Sequence, residues 1–584
     1  MRTDFNSRKK SKPTKSFLRA HTLFIILFLS FLLVEIRLFY WQVIKGNRLE
    51  AEANRQYERL IINTGKRGSI YTSDNHLLVG NEKVYRLFAE PHLYSESKEK
   101  IHKQIFNLLL NLDTDYKEAT QEAKKEEIED EFELFLENKL AIDDKKWVGI
   151  ISGVTEEVKT EIENLEIEGF GFDPYYQRFY PESSMAAHIT GFVGKDESGE
   201  AVGYFGVEGS LNKELSAKKN KEITSNFSLT DDLNKKINGR DITLTIRRDI
   251  QFLLENELKE AIKKYGASSG EVIVMDPKTG KVLGLAAYPN YDQKDFYKFP
   301  TDFYKNPSVS NFYEPGSTFK VLTISIGIDK NAITPDTKCD NCDKARRIGK
   351  YTIKTWDDTY HPDITMMDAL AKSDNTAMIF AQEKIGEDNF INYIKQFGFG
   401  QKITNDIQED TTPSFPEKWG PIELATRSFG QGISATSLQV LRAINTIANQ
   451  GMMVQPQFIE KVTDKETSQE IKTEIINLSQ VISPETAQEV TKMMIESANH
   501  GEAQWIASKE YLVAGKTGTS QVTKDSGGYD EEKTIASFVG FAPADNPQFI
   551  MLTKLNEPTI SPWAAETAAP LWYKIADKLI LMFN

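Results

Sequence analysis

The sequence predicts an α+β protein of several domains behind one N-terminal apolar helix. Three observations lead there. Residues 23–34 carry no charge and follow a basic tail. Residues 269–286 hold two apolar runs joined by Asp276-Pro277-Lys278-Thr279-Gly280, the pattern of an antiparallel hairpin. Runs with helical spacing then separate this hairpin from later strand-like runs near 511–522 and 538–543, so strands and helices are segregated, not alternating.

The 584 residues, 40% hydrophobic and 11% aromatic, allow more than one core, and a net charge of −14 argues against a nucleic-acid binder. Charge is uneven, however. Arg2, Arg8, Lys9, Lys10, Lys12, Lys15 and Arg19 crowd the N-terminus against Asp4 alone. Extended over residues 20–41, the apolar helix would reach roughly 33 Å, enough to cross a bilayer. Tyr40 and Trp41 suit its interface, and Glu35 and Arg37 lie near its outer end. The basic flank predicts residues 1–19 in the cytoplasm and everything after about residue 42 outside. A cleaved signal peptide fits less well: Ala51-Glu52-Ala53 comes late, after charged sequence.

Residues 42–239 form the first expected outer domain. Residues 42–66 read as a helix or extended stalk, and Arg67 to Tyr71 as the start of a strand. Asn75 sits in a turn. Residues 101–168, rich in Glu and Lys, read as solvated helices. Gly169-Phe170-Gly171-Phe172 is a turn into a strand, with no phosphate-binding helix behind it. A second boundary falls near Gly239, leaving 240–584 as the larger domain. It opens with a strand over Arg240–Ile246 and a helix over Ile250–Lys264. Cys339 and Cys342 read as surface thiols, free or bridged; outside a membrane a local disulfide is open to them, and a metal would need two further ligands.

The stretch Tyr313-Glu314-Pro315-Gly316-Ser317-Thr318-Phe319-Lys320 opens an apolar helical run. Lys320, three residues past Ser317, returns to the same face. A serine hydroxyl needs a base, and a desolvated neutral lysine can serve. Ser-x-x-Lys alone is weak, with about two chance matches expected in a chain this long. Two ordered triplets can in fact be built. One joins Ser7/Lys10, Ser73-Asp74-Asn75 and Lys278-Thr279-Gly280; the other joins Ser317/Lys320, Ser373-Asp374-Asn375 and Lys516-Thr517-Gly518. Context selects the second. Ser7 falls in the expected cytoplasmic tail, and Lys278-Thr279-Gly280 is a hairpin turn. Ser373-Asp374-Asn375 instead breaks two helical runs, and Lys516-Thr517-Gly518-Thr519 lies in a strand with a glycine where another backbone must approach.

With that set in place the chain resembles a class B penicillin-binding protein, a monofunctional peptidoglycan transpeptidase. The likeness covers nearly the whole sequence. Residues 37–46, Arg178-Phe179-Tyr180-Pro181, 188–194 and 203–208 are similar to the segment after the family's anchor and to its non-catalytic pedestal. Phe429-Gly430-Gln431-Gly432 and 538–543 match late parts of its transpeptidase domain. One departure is Thr72-Ser73-Asp74-Asn75, where the family carries Asp-Arg-Asn-Gly.

The resemblance implies an anchor, an elongated mixed pedestal and a C-terminal penicillin-binding, serine β-lactamase-like domain with an antiparallel sheet flanked by helices. It implies Ser317 as nucleophile, Lys320 as acylation base, Ser373 as proton relay to the leaving amine, and Asn375 holding Lys320 and the substrate amide. Lys516, with Thr517 and Thr519, would grip the terminal carboxylate of a D-Ala-D-Ala stem peptide. The N–H groups of Ser317 and Thr519 would form the oxyanion hole, with Gly518 leaving room. No metal or organic cofactor is implied. β-Lactams would inhibit, and a polytopic glycosyltransferase and other division proteins would be partners. The rival readings are an elongation-type enzyme, a β-lactamase, a β-lactam sensor and an inactive scaffold of the division complex. The Glu-x-x-Leu-Asn segment of class A β-lactamases is absent between Ser373 and Lys516.

Overall fold

The computed structural model describes residues 15–40, 65–112, 114–142, 145–217, 238–524 and 528–583. Residues 66–217 and 238–584 form one compact unit. The other comprises 1–65 and 218–237; its described part is mainly the 25-residue helix Lys15–Phe39. This helix covers most of the expected anchor, and Leu23, Phe24, Phe28, Phe31 and Leu33 stand exposed along it. Among the described residues no helix is long and apolar enough to cross a membrane. The stalk expected over 42–66 lies almost wholly outside the described residues, as does Ser7.

In the larger unit a mixed sheet runs in the order 469–472, 459–464, 241–244, 70–71, 77–89, 148–154, with Phe170–Phe179 also paired to Leu77–Ala89. Ile70 pairs with Ile242 in a parallel bridge, so residues on both sides of the Gly239 boundary share one sheet. The Gly169 turn has φ +88, as a glycine there allows, and Asn75 has φ +63. Residues 101–168 are not helical throughout. The strand Val148–Val154 lies between the helices Glu122–Leu140 and Glu156–Glu163 and pairs with Leu77–Ala89. Its alternating burial is the period-2 signal that the surrounding charge obscured.

The second large sheet is antiparallel throughout, in the order 514–523, 529–542, 549–556, 269–275, 282–288. The expected hairpin is its last pair, turned by Asp276, whose Oδ1 accepts from the N–H groups of Lys278 and Thr279. Alternation sorts the two faces. Val272, Val274, Phe538 and Met551 pack with Ile250 and Leu254 of helix Arg248–Tyr265 and Trp572 of helix Ala568–Phe583. Ile273, Met275, Val539 and Leu552 face the other way, into a core with Phe319, Val321, Leu322 and Ile324. Helix Lys320–Asp329 is therefore buried on nearly every side: its aliphatic residues pack into the core, and the Thr323 and Ser325 hydroxyls donate to the Ser428 and Val321 carbonyls.

Cys339 and Cys342 are disulfide-bonded, and both are fully buried in that core rather than at the surface. The Cys339 N–H donates to the Ile364 carbonyl at 2.9 Å, and both cysteines belong to the same core as Ile364 and Met366; two cysteines in an acidic loop give no hint of this.

Candidate active site

Pro315 ends the incoming chain, and Gly316–Phe319 form a 3₁₀ turn that leads straight into the α-helix at Lys320. Ser317 is partly exposed at that turn, whereas Lys320 is completely buried. Two glycines let the turn sit against its neighbours. Gly316 has φ +55, and a Cβ there would meet the Thr519 carbonyl oxygen at 3.0 Å. Gly430, at φ +83, presents its carbonyl to the Gly316 N–H at 3.2 Å; a Cβ there would lie 2.3 Å from the Gly316 oxygen. The Phe429–Gly432 segment thus buttresses the turn from behind.

Ser373 lies between helices Met366–Ala371 and Asn375–Ile385. Its φ of +57 is unusual for a residue with a Cβ and is held by the caps around it. Asp374 is the N-cap: its Oδ1 accepts from the N–H groups of Thr376 and Ala377 at 2.7 and 3.0 Å. This turns the Ser373 oxygens onto Lys320. The Lys320 Nζ donates to the Ser373 carbonyl at 2.5 Å and to its hydroxyl at 3.2 Å.

Strand Ala514–Thr523 is the edge of the antiparallel sheet. Lys516, 1% exposed, donates to the Thr517 hydroxyl at 3.0 Å, which in turn donates to Glu502 Oε2 at 2.8 Å. Gly518 brings this strand onto the nucleophile turn. A Cβ there would stand 2.7 Å from Thr318 Cγ2 and 3.0 Å from the Pro315 carbonyl oxygen. Thr519, partly exposed, accepts from the Ala564 N–H at 3.2 Å.

The electrostatics follow from burial. Desolvation first, and then the nearby Lys516 cation, pull the Lys320 amine down to about 7; Glu502 and Asp374 act in the opposite direction. Burial also lowers the Lys516 amine, against the pull of Glu502. A lysine held near neutrality in contact with one serine, on the helix that another serine opens, is the composition of an acyl-transfer site.

The structure thus gathers Ser317, Lys320, Ser373, Lys516, Thr517, Gly518 and Thr519 into one region. Asn375 departs from expectation. Its amide nitrogen donates to the Lys354 carbonyl at 2.9 Å, and among the described residues it makes no hydrogen bond to Lys320. The Ser373 backbone occupies the lysine in its place. Sequence reasoning missed Glu502, which has no motif around it and reaches Lys516 only through Thr517. The described members of the rejected triplet have structural roles: the Ser73 hydroxyl donates to the Ile246 carbonyl, Asp74 accepts from the Arg248 N–H, and Lys278-Thr279-Gly280 is a turn.

Comparison with known proteins identifies the family. The penicillin binding protein transpeptidase domain matches residues 270–577, and the penicillin-binding protein dimerisation domain matches 62–244. Stage V sporulation protein D of Bacillus subtilis is 30% identical over 95% of this chain and 84% of its own length. The peptidoglycan D,D-transpeptidase FtsI of Buchnera aphidicola is 27% identical over 97% of this chain and 95% of its own. Among solved structures, penicillin binding protein 2X of Streptococcus thermophilus superposes with a TM-score of 0.72 at 22% identity, over 88% of this chain and 80% of that one. Both domains, the order of the motifs and the shared fold lead to one conclusion: the chain belongs to the class B penicillin-binding proteins, the transpeptidases that couple a dimerisation-type pedestal to a penicillin-binding domain.

Proposed function

We propose that the protein cross-links peptidoglycan stem peptides through an ester on Ser317. The carrying observation is the convergence of the Ser317 turn, the Lys320–Ser373 contact and the Lys516 strand. Ser317 Oγ attacks the carbonyl of the penultimate D-alanine while neutral Lys320 takes its proton. The D-Ala-D-Ala peptide bond breaks, and Ser373 passes a proton to the departing amine. An acceptor amine then attacks the ester, forms the cross-link and returns the proton to Ser317. The N–H groups of Ser317 and Thr519 face the developing oxyanion, worth about 3–4 kcal/mol per donor. Lys516, Thr517 and Thr519 hold the terminal carboxylate, with Gly518 leaving the approach clear. Asn375, whose amide nitrogen donates to the Lys354 carbonyl, is the residue to turn toward the substrate amide.

The apolar, outward-facing side chains of helix Lys15–Phe39 and its basic flank support a single membrane anchor with the N-terminus cytoplasmic. The bulk of the chain would then work outside, with a polytopic glycosyltransferase and other division proteins as partners. Relatives named FtsI support a septal role. The sporulation name of another relative supports a second reading, a septal-type enzyme used during spore formation. Fluorescent penicillin tests the chemistry: long-lived labelling lost in Ser317→Ala supports it, rapid turnover indicates a β-lactamase, and absence of labelling indicates a scaffold. Depletion tests the role. Filaments support division, widened round cells indicate elongation, and a defect confined to sporulation indicates the second reading.

A further inference from the structure

Lys516 is buried, and its hydrogen bonds go to the carbonyl and hydroxyl of Thr517, at 3.3 and 3.0 Å. Among the described residues no carboxylate pairs with it directly. A buried ammonium with no anion at hand gives up its proton readily. Yet gripping a substrate carboxylate requires the charge. The Thr517 hydroxyl supplies a link: it accepts from Lys516 and donates to Glu502 Oε2 at 2.8 Å.

The backbone fixes where Glu502 stands. Helix Pro484–His500 ends at Gly501, whose N–H donates to the Ser497 carbonyl at 3.1 Å. A Cβ at Gly501 would lie 2.3 Å from that oxygen and 2.8 Å from the Ala371 carbonyl oxygen. The turn is therefore pressed against the end of helix Met366–Ala371, and it delivers Glu502 to Thr517. A carboxylate just past a helix C-terminus meets the negative end of the dipole, which disfavours it. The cation behind Thr517 offsets this. The other charges around the two active-site lysines are engaged elsewhere. Asp374 caps its own helix through Oδ1, and His500 pairs with Glu496 at 2.8 Å. Asp357, His361 and the exposed Lys372 line the adjoining cavity, and none is hydrogen-bonded to Lys320 or Lys516 among the described residues. On the neighbouring strand, uncharged Val539 stands opposite Lys516.

We propose that Glu502 is a positioning residue for acyl transfer: through the Thr517 hydroxyl it keeps Lys516 charged and aimed at the substrate carboxylate. The proposal rests on the transpeptidase reading above. Glu502 acts on both lysines in the same direction. Burial lowers the Lys516 amine, and Glu502 opposes it. Burial and then Lys516 lower the Lys320 amine, and Glu502 opposes both. One side chain thus sets the two ends of the working pH range: the acid end, where Lys320 must lose a proton, and the alkaline end, where Lys516 must keep one.

The test is stopped-flow acylation of the purified full chain by fluorescent penicillin from pH 5 to pH 10, in the wild type, Glu502→Gln and Glu502→Asp. Rates are normalised to protein that forms the Ser317 ester. Without the carboxylate both lysines shed their protons earlier, so both limbs of the profile should move to lower pH in Glu502→Gln. Relative to its own maximum, that variant should then be faster than the wild type at the acid end and slower at the alkaline end, by roughly threefold or more. The alkaline loss should be a rise in the half-saturating penicillin concentration rather than a fall in the limiting rate, because Lys516 binds and does not react. Glu502→Asp restores the charge and should return the limbs toward their wild-type positions. A Glu502→Gln profile lowered uniformly, with its limbs in place, means lost packing only and overturns the proposal. So does a variant faster at every pH, which would make Glu502 a competitor for the place of the substrate carboxylate. A wild type that forms no Ser317 ester overturns the transpeptidase reading, and this proposal with it.

Discussion

The Nζ of Lys320 stands 2.5 Å from the carbonyl oxygen of Ser373 and 3.2 Å from its hydroxyl. Only a lysine free of its extra proton can take one from Ser317. With the amine drawn from 10.5 to about 7 by burial and by Lys516, acylation by penicillin should climb roughly tenfold per pH unit below that value and level off above it. Stopped-flow labelling across pH 5–9 measures this. A flat profile would count against Lys320 as base.

The same depression carries a stability signature. Between about 7 and 10.5 the unfolded lysine is charged and the folded one neutral, so the unfolded chain binds more protons. This group's contribution therefore becomes more favourable as pH rises through that window. Lys320→Met removes the linkage. Urea unfolding should show the wild type gaining on Lys320→Met from pH 7 to pH 10, whereas a constant difference would mean the lysine keeps its proton in both states.

Much of this site was legible in the sequence, because its chemistry sits in short runs with fixed spacing. Ser317/Lys320 is one helical turn, Ser373-Asp374-Asn375 carries its own cap, and Gly518 marks a close approach. What escaped depends on distant packing. Glu502 joins the site by a single bond to Thr517, Cys339 and Cys342 are buried in the core, and Val148–Val154 pairs with the strand Leu77–Ala89, on the far side of helices Lys98–Leu110 and Glu122–Leu140. Asn375 shows the converse: its motif could be read, but the partner of its amide nitrogen, the Lys354 carbonyl, could not.

Gly518 offers a test of close approach. Its absent Cβ would press on Thr318 Cγ2 and Ser537 Oγ, both at 2.7 Å, and on the Pro315 carbonyl. Gly518→Ala must push the edge strand off the nucleophile turn. Overpacking of this kind costs about 1–3 kcal/mol. Calorimetry should show the lower Tm, and penicillin acylation should slow more than the stability loss alone explains. Unchanged acylation would mean the turn has slack that the distances do not indicate.

The disulfide closes a very short loop, so its effect on unfolded-chain entropy is small. The loop relation gives about 2 kcal/mol for so few residues. Reductant, or a Cys339→Ala/Cys342→Ala pair, should lower the Tm by a few degrees and leave Ser317 labelling intact at 25 °C. Loss of labelling would tie the buried pair to the catalytic fold more tightly than its place in the sequence suggests.

Beneath the nucleophile segment lies a buried ion pair. Lys554 Nζ meets Glu271 Oε1 at 2.5 Å, with side chains 3% and 2% exposed. Ser308 donates to the other Glu271 oxygen at 2.8 Å, and the ammonium lies 4.3 Å from the centre of the Tyr313 ring. Tyr313 leads into the Ser317 turn and bridges to Ala435, so this pair underlies the catalytic geometry. Lys554→Met leaves the Glu271 carboxylate buried and unpaired, which should cost about 3–5 kcal/mol. Removing both charges, with Glu271→Gln added, should recover much of the loss, because the expense lies in the orphaned charge rather than in the missing attraction. Guanidinium unfolding of the wild type, both single variants and the double variant gives the coupling directly. Additive losses would show that each side chain matters for its own packing, and that Tyr313 is held by shape instead of by charge.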